Sequence, residues 1–215
     1  MLIVEKDPKS VAAESYRMLR TNIKYSSFDK EVKKVLFTSS IPGEGKSTTA
    51  SNVALAFAQE EKKVILIDCD LRKSNVHKVF NISNRKGLTD ALLSKGHNEM
   101  FIVKHNEYLD ILPAGVVPPN PSEMLSSKAM ENLLIELEGK YDVIIIDSPP
   151  VKAVTDAQIL SRLVDGVVLV VRTGFAKKES VKETKKELEK VGGKIIGIAL
   201  NRVQDAKGKY YYYYG

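Results

Sequence analysis

Tryptophan is absent from this chain of 215 residues, and cysteine occurs once, as Cys69. A lone thiol cannot close an internal disulfide, which excludes a disulfide-stapled scaffold and fits the cytosol. Long apolar runs are missing too. Stretches such as Val143–Ile146 and Val167–Val171 fall far short of the ~20 residues a membrane span needs. Met1 to Val4 is followed at once by Glu5, Lys6 and Asp7, so no secretory signal is expected. There is also no block of one charge sign. The 33 Lys and Arg are scattered among 27 Asp and Glu, and a net charge of +6 spread in that way describes a solvated surface. Nucleic acid is therefore not an expected partner. His77, His97 and His105 are not spaced like metal ligands, and no C-x-x-C pair exists to hold a cluster.

What is present describes a globular domain with a real core: 43% hydrophobic and 28% charged residues. Short β-branched runs recur at Val35–Phe37, Val64–Ile67, Leu109–Leu112, Val143–Ile146, Val167–Val171 and Ile195–Leu200. They are apolar at every position rather than at alternate ones, as in strands buried on both faces. Most spacings approach the ~30 residues of a βαβ unit. The expected fold is therefore α/β, three layers, with a mainly parallel sheet covered by helices on both faces. Residues 9–25 read as a helix. Short helices are expected around Gly87 to Leu93 and near Ser122, the latter after a proline-rich loop at 116–121. We place one domain at 1–202 and a flexible tail at 203–215.

Ser40-Ile-Pro-Gly-Glu-Gly-Lys-Ser47 matches the phosphate-binding loop G-x-x-x-x-G-K-[ST], except that Ser40 replaces the first glycine. It follows a predicted strand and precedes a predicted helix, as such a loop must. Pro42, Gly43, Glu44, Gly45, Lys46, Ser47 and Thr48 are the expected nucleotide-binding residues. Gly43 and Gly45 let backbone N–H groups converge on phosphate oxygens at the positive end of the helix. Lys46 would reach the β- and γ-phosphates, and the Ser47 hydroxyl would bind Mg²⁺. Asp68 and Asp70 end one buried strand and Asp147 ends another, on the side where open α/β sheets bind ligands. Three carboxylates beside a triphosphate call for a cation, and Mg²⁺ suits carboxylate, phosphate and water ligands. ATP and Mg²⁺ are thus the expected cofactors.

Water as acceptor would make an ATPase and a hydroxyl would make a kinase, because the same positioning machinery serves both. The tail suggests the answer. Tyr210, Tyr211, Tyr212, Tyr213 and Tyr214 stand consecutively, with only Gly215 after them. Such a row cannot bury itself as one strand or helix face, which suggests that its hydroxyls are substrates.

The loop Pro42–Thr48, Asp68-Cys-Asp-Leu-Arg72, Asp147-Ser-Pro-Pro150 followed by Val154-Thr-Asp-Ala157, and the tyrosine cluster together resemble the bacterial tyrosine kinases of capsule and exopolysaccharide biosynthesis. The resemblance runs from about Glu14 to the end. It implies a P-loop fold and an ATP-dependent protein-tyrosine kinase that modifies its own tail. Lys46, Asp68, Asp70, Arg72 and Asp147 would be catalytic, with Ser47, Asp70 and Asp147 around the metal. Which of Asp68 and Asp70 is the base stays open. Asn201 falls where this superfamily contacts adenine. Glu14, Arg17 and Arg20 match an E-x-x-R-x-x-R motif implicated in packing subunits into a ring, an octamer by the same resemblance; ordinary pairing within the helix is the simpler alternative.

Further implications are a separate transmembrane activator that recruits a cytoplasmic kinase to the inner face of the membrane, a cognate tyrosine phosphatase, and protein tyrosine substrates. The runner-up is a partitioning-type ATPase acting as a nucleotide-switched scaffold. Those ATPases carry a second lysine where this chain has Ile41.

Overall fold

The structure is a computed structural model that describes residues 2–27, 31–94 and 98–203. Tyr210 to Tyr214 and His97 lie outside the described residues.

Seven strands form one sheet in the order β3-β4-β2-β5-β1-β6-β7. They are β1 Lys34–Ser39, β2 Val64–Asp68, β3 Val103–Lys104, β4 Leu109–Leu112, β5 Val143–Asp147, β6 Gly166–Arg172 and β7 Ile195–Asn201. All neighbours run parallel except β3, which pairs antiparallel with β4 at one edge. The six expected strands are present. The two-residue β3 is an addition, too short to leave a pattern in the sequence.

The uninterrupted apolar runs have the cause assigned to them. Val35 and Phe37 enter one core and Leu36 the other. Likewise Val64 and Leu66 face one side of the sheet, Ile65 and Ile67 the opposite side. On the first face lie α1 Ile3–Lys6, α2 Val11–Lys24 and α3 Lys46–Ala58. Alanines at 50, 54, 56 and 58 let α3 pack closely, and nearly all of that helix is buried. Helix α2 starts where Ser10 accepts from the Ala13 N–H at 3.2 Å, the usual N-cap device. The short α4 Val76–Phe80 follows β2, and its Val79 and Phe80 also pack on this face. The opposite face is covered by α5 Leu88–Leu93, α6 Pro121–Leu125, α7 Lys128–Glu138, α8 Asp156–Ser161 and α9 Lys178–Lys190.

The sheet register places the chemistry. Phe37 is level with Asp147, and Asp68 pairs with Asp147 across the β2–β5 ladder. The carboxyl ends of β1, β2 and β5 thus meet at one place, with the loop 40–47 running over them into α3.

Candidate active site

The loop between β1 and α3 is shaped by two glycines with positive φ, Gly43 at 86° and Gly45 at 89°. A side chain at Gly45 is doubly excluded, since a Cβ there would lie 2.0 Å from Asn201 Nδ2. Ser40 is not among the positive-φ residues, so the motif's first glycine is not required here. Serine is buried at that point, and its carbonyl accepts from the Lys152 N–H at 3.2 Å.

Glu44 has a different position from the one its place in the motif suggests. Its carboxylate is fully buried and accepts from the Ile41 N–H at 2.9 Å and the Arg172 N–H at 3.3 Å. It braces the loop from behind, so only its backbone is free to serve a phosphate. Asn201, at the end of β7, donates its amide to the Glu44 carbonyl at 2.9 Å, which ties the last strand to the loop.

Lys46 is the centre of the charge arrangement. Its Nζ lies 3.1 Å from Asp70 Oδ2 and 3.6 Å from Asp147 Oδ1. Burial alone would lower the pKa of this ammonium, but the charges of Asp147 and Asp70 outweigh it and the net shift is upward. Lys46 therefore stays charged. For Asp147, burial wins over Lys46 and Ser47, and its pKa is raised.

The three aspartates do not form one cage. Asp68 uses both oxygens on backbone: Oδ1 accepts from the Asp70 N–H at 3.1 Å, Oδ2 from Asn75 and Val76 at 3.0 Å each. Burial, then the neighbouring Asp147 charge, pushes its pKa to about 7. Asp70 instead lines the cleft, while its Oδ1 accepts from the Lys73 N–H at 3.0 Å. Asp68 and Asp70 do not end the strand together: β2 stops at Asp68 and the chain turns, so the two carboxylates point into different surroundings.

Among the described residues no three His, Cys, Asp or Glu side chains are arranged to hold a metal by themselves. A magnesium ion nevertheless fits. Both oxygens of Asp147 are sealed from solvent without a hydrogen-bond partner, and Ser47 adjoins the same lysine. Few protein oxygens, completed by phosphate and water, are the usual Mg²⁺ arrangement.

A cleft of about 460 Å³ opens over these groups, lined by the loop, Asp70, Arg72, Pro149 and Pro150 among others. Arg72 is held at its mouth by a cluster with Asp156 and Ser122. Its Nε meets buried Asp156 at 3.1 Å, and Ser122 donates to Asp156 at 2.6 Å. Asp156 belongs to the Val154-Thr-Asp-Ala157 stretch, where the sequence alone gives it no role. Thr48 faces this cleft, whereas Thr49 faces a second, about 830 Å³ groove between α2 and β7 that Asn201 also lines. Arg17 and Arg20 bind their own chain: Arg17 to Glu14 at 2.8 Å, Arg20 to the Ala56 carbonyl at 2.9 Å and Glu60 at 2.8 Å.

Residues 32–196 match a family model described as an AAA domain. The chain is 47% identical over 215 residues to the tyrosine-protein kinase YwqD of Bacillus subtilis, covering 100% of this chain and 91% of that one. The chain belongs to the bacterial tyrosine-protein kinases. Among solved structures, the kinase domain of the Escherichia coli tyrosine kinase ETK superposes on this family member with a TM-score of 0.91 at 34% identity, covering 99% of this chain and 84% of that one. The chimerical protein CapA2B2 gives 0.90 at 42%, covering 94% and 89%. A plasmid partition protein from Borrelia burgdorferi reaches 0.63 at 22% identity over 82% and 84%, which shows a shared fold and nothing more.

Proposed function

We propose that this tyrosine-protein kinase transfers the γ-phosphoryl group of ATP to tyrosines of its own tail, Tyr210 to Tyr214, and of other proteins. The observation that carries the reading is the placement of Lys46 between Asp70 and Asp147, at the start of α3 and on the floor of an open cleft. An ammonium matched by two carboxylates is held at the point where it could turn to phosphate charge once the nucleotide is bound. When bound, Mg²⁺ would be held by Ser47 and Asp147, with Asp70 beside it, and would neutralise charge on the triphosphate. Backbone N–H groups of 43–48 would cradle the phosphates, and the groove beyond Thr49, with Asn201, would receive the base.

Asp70 is the better base. It faces the cleft, whereas both oxygens of Asp68 are committed to backbone N–H groups. Asp68 then acts as a positioning residue, fixing the turn that carries Asp70 and Arg72. The phenol oxygen attacks the γ-phosphorus, the bond to the β-phosphate oxygen breaks, and the phenol proton leaves through Asp70.

Tail modification in trans within a ring, through Glu14, Arg17 and Arg20, completes the proposal. Residues 203–215 can span at most ~43–47 Å extended, enough for a neighbour's cleft. Regulation of capsular or extracellular polysaccharide synthesis would follow, with the kinase drawn to the membrane by a transmembrane activator and reset by a phosphatase. No described helix is long and apolar enough to cross a membrane, and in the relative etk of Escherichia coli the matching region is only 27% of the protein. Incubation with Mg-ATP followed by mass analysis of the C-terminal peptide tests the core of the reading. Added phosphate is expected; ADP release with an unmodified tail would overturn it.

A further inference from the structure

Two cations at the mouth of the cleft have no role in the scheme above. Lys73 and Lys78 line it together with Lys46 and Arg72. Lys46 is matched by Asp70 and Asp147, and Arg72 by Asp156. The ammonium groups of Lys73 and Lys78 meet no acidic side chain among the described residues. Both side chains are exposed, yet their backbone belongs to the turn and helix that Asp68 anchors through Asn75 and Val76. The result is a pair of exposed positive charges, carried on an anchored backbone, beside a site that makes phosphate esters.

The nucleotide does not need them, since the loop and Lys46 already meet its phosphates. The unmodified tail offers them little, because Asp205 is outnumbered by Lys207 and Lys209. One modified tyrosine changes this. A phosphotyrosine carries about −1.5 to −2 charge and three strong acceptor oxygens. In an extended peptide, residues two apart share a face and lie about 6.6 Å from each other. With one phenol at the transfer site, a phosphotyrosine two positions away would still lie over the same cleft, whose lining includes both outer lysines.

We propose that Lys73 and Lys78 form a phosphotyrosine subsite, so that each modified tail tyrosine presents a neighbour for the next transfer. The tail would then be modified in a self-priming order. Each round repeats the same chemistry: one phenol oxygen–phosphorus bond forms, the bond to the β-phosphate oxygen breaks, ADP departs and the phenol proton passes to solvent. The inference rests on the kinase reading, and its test is separable from it.

Synthetic peptides of residues 204–215 would carry tyrosine, phosphotyrosine or glutamate at position 212. Acceptors for the full chain bearing Tyr210→Phe through Tyr214→Phe, they should show about tenfold lower KM with phosphotyrosine, as one or two charge-assisted hydrogen bonds give. The advantage should shrink with added salt, and Lys73→Ala with Lys78→Ala should bring the ratio to one. Equal KM values for the wild-type pair would overturn the subsite while leaving the kinase intact. An equal gain from glutamate would overturn its assignment to phosphotyrosine. Fluorescence anisotropy of the same peptides on the Mg-ADP form requires no turnover. If no peptide is phosphorylated, the kinase reading falls, and equal binding of the three peptides there removes the subsite independently.

Discussion

The Lys46 ammonium lies 3.1 Å from the Asp70 carboxylate, inside a single charge-assisted hydrogen bond. The group that would hold the γ-phosphate thus rests on the group that would accept the phenol proton, so in the proposed reaction nucleotide arrival would also release the base. Lys46→Met should abolish this exchange. Phosphoryl transfer should fall at least ~10²-fold, as for loss of one preorganised charge at a transition state. Circular dichroism should show the fold retained, since methionine is of similar length and the buried Asp147, whose pKa is already raised, can take up a proton. Transfer within a few-fold of wild type would remove Lys46 from the chemistry.

Gly45→Ala meets both a positive φ and Asn201 Nδ2. Strain of ~1–3 kcal/mol is expected from the backbone alone, with a lower melting temperature and loss of Mg-ATP binding by calorimetry. Asn201→Ala in the same chain should recover part of the stability by removing the clash but not the φ strain.

Asp68 supplies a pH dependence with a definite sign. Its pKa is raised from 3.8 to about 7 in the fold, so the folded state binds more protons than the unfolded chain. Its favourable contribution is complete below the unfolded value and is lost as pH rises through the folded one. The nucleotide-free protein should therefore melt lower at about pH 8 than at about pH 5, by roughly 5 °C. Asp68→Asn should flatten that slope. An unchanged slope in the variant would assign the effect to other groups.

Arg72 and Asp156 lie 84 positions apart in sequence and 3.1 Å apart in space. If the pair positions the acceptor side of the cleft, Asp156→Asn should raise KM for a tyrosine peptide several-fold while leaving the Kd for Mg-ATP in place. A double-mutant cycle with Arg72→Ala should give a coupling of ~0.5–1 kcal/mol, limited by the partial exposure of Arg72.

The arginines of α2 test the ring. Arg17→Ala with Arg20→Ala should lower the mass seen by light scattering if they also serve an interface. Because Arg20 bonds Ala56 and Glu60 of its own chain, the melting temperature should fall too, so each variant's folded state has to be verified first. A large species that survives both changes would contradict the interface.

The parts readable in the sequence were those whose cause is local or periodic. Val64-Ile-Leu-Ile reads as a strand because each face of the sheet supplies a core, and Lys46 follows from the loop pattern. The rest needed tertiary partners. Glu44 looks like a phosphate-loop residue until the Arg172 N–H, 128 positions away, is seen to occupy its carboxylate. Helix α1 has only four residues and is held by the Asn52 side chain, which accepts from the Val4 N–H at 3.1 Å. Asp68 and Asp70 look equivalent in the strand pattern. They separate only because the turn folds Asn75 and Val76 back onto the first of them.

The position of Cys69 has a practical use. Fully buried between Asp68 and Asp70, its thiol has a pKa driven well upward by burial and by the surrounding carboxylates, and a sealed, protonated sulfur is a poor nucleophile. The native surface is therefore blank to maleimide reagents. A cysteine introduced at an exposed position such as Val116 or Ile135 would take the dye alone, with no native thiol to be removed from beneath the site. Distances between a labelled surface and a labelled peptide could then be followed during turnover on an otherwise unaltered chain.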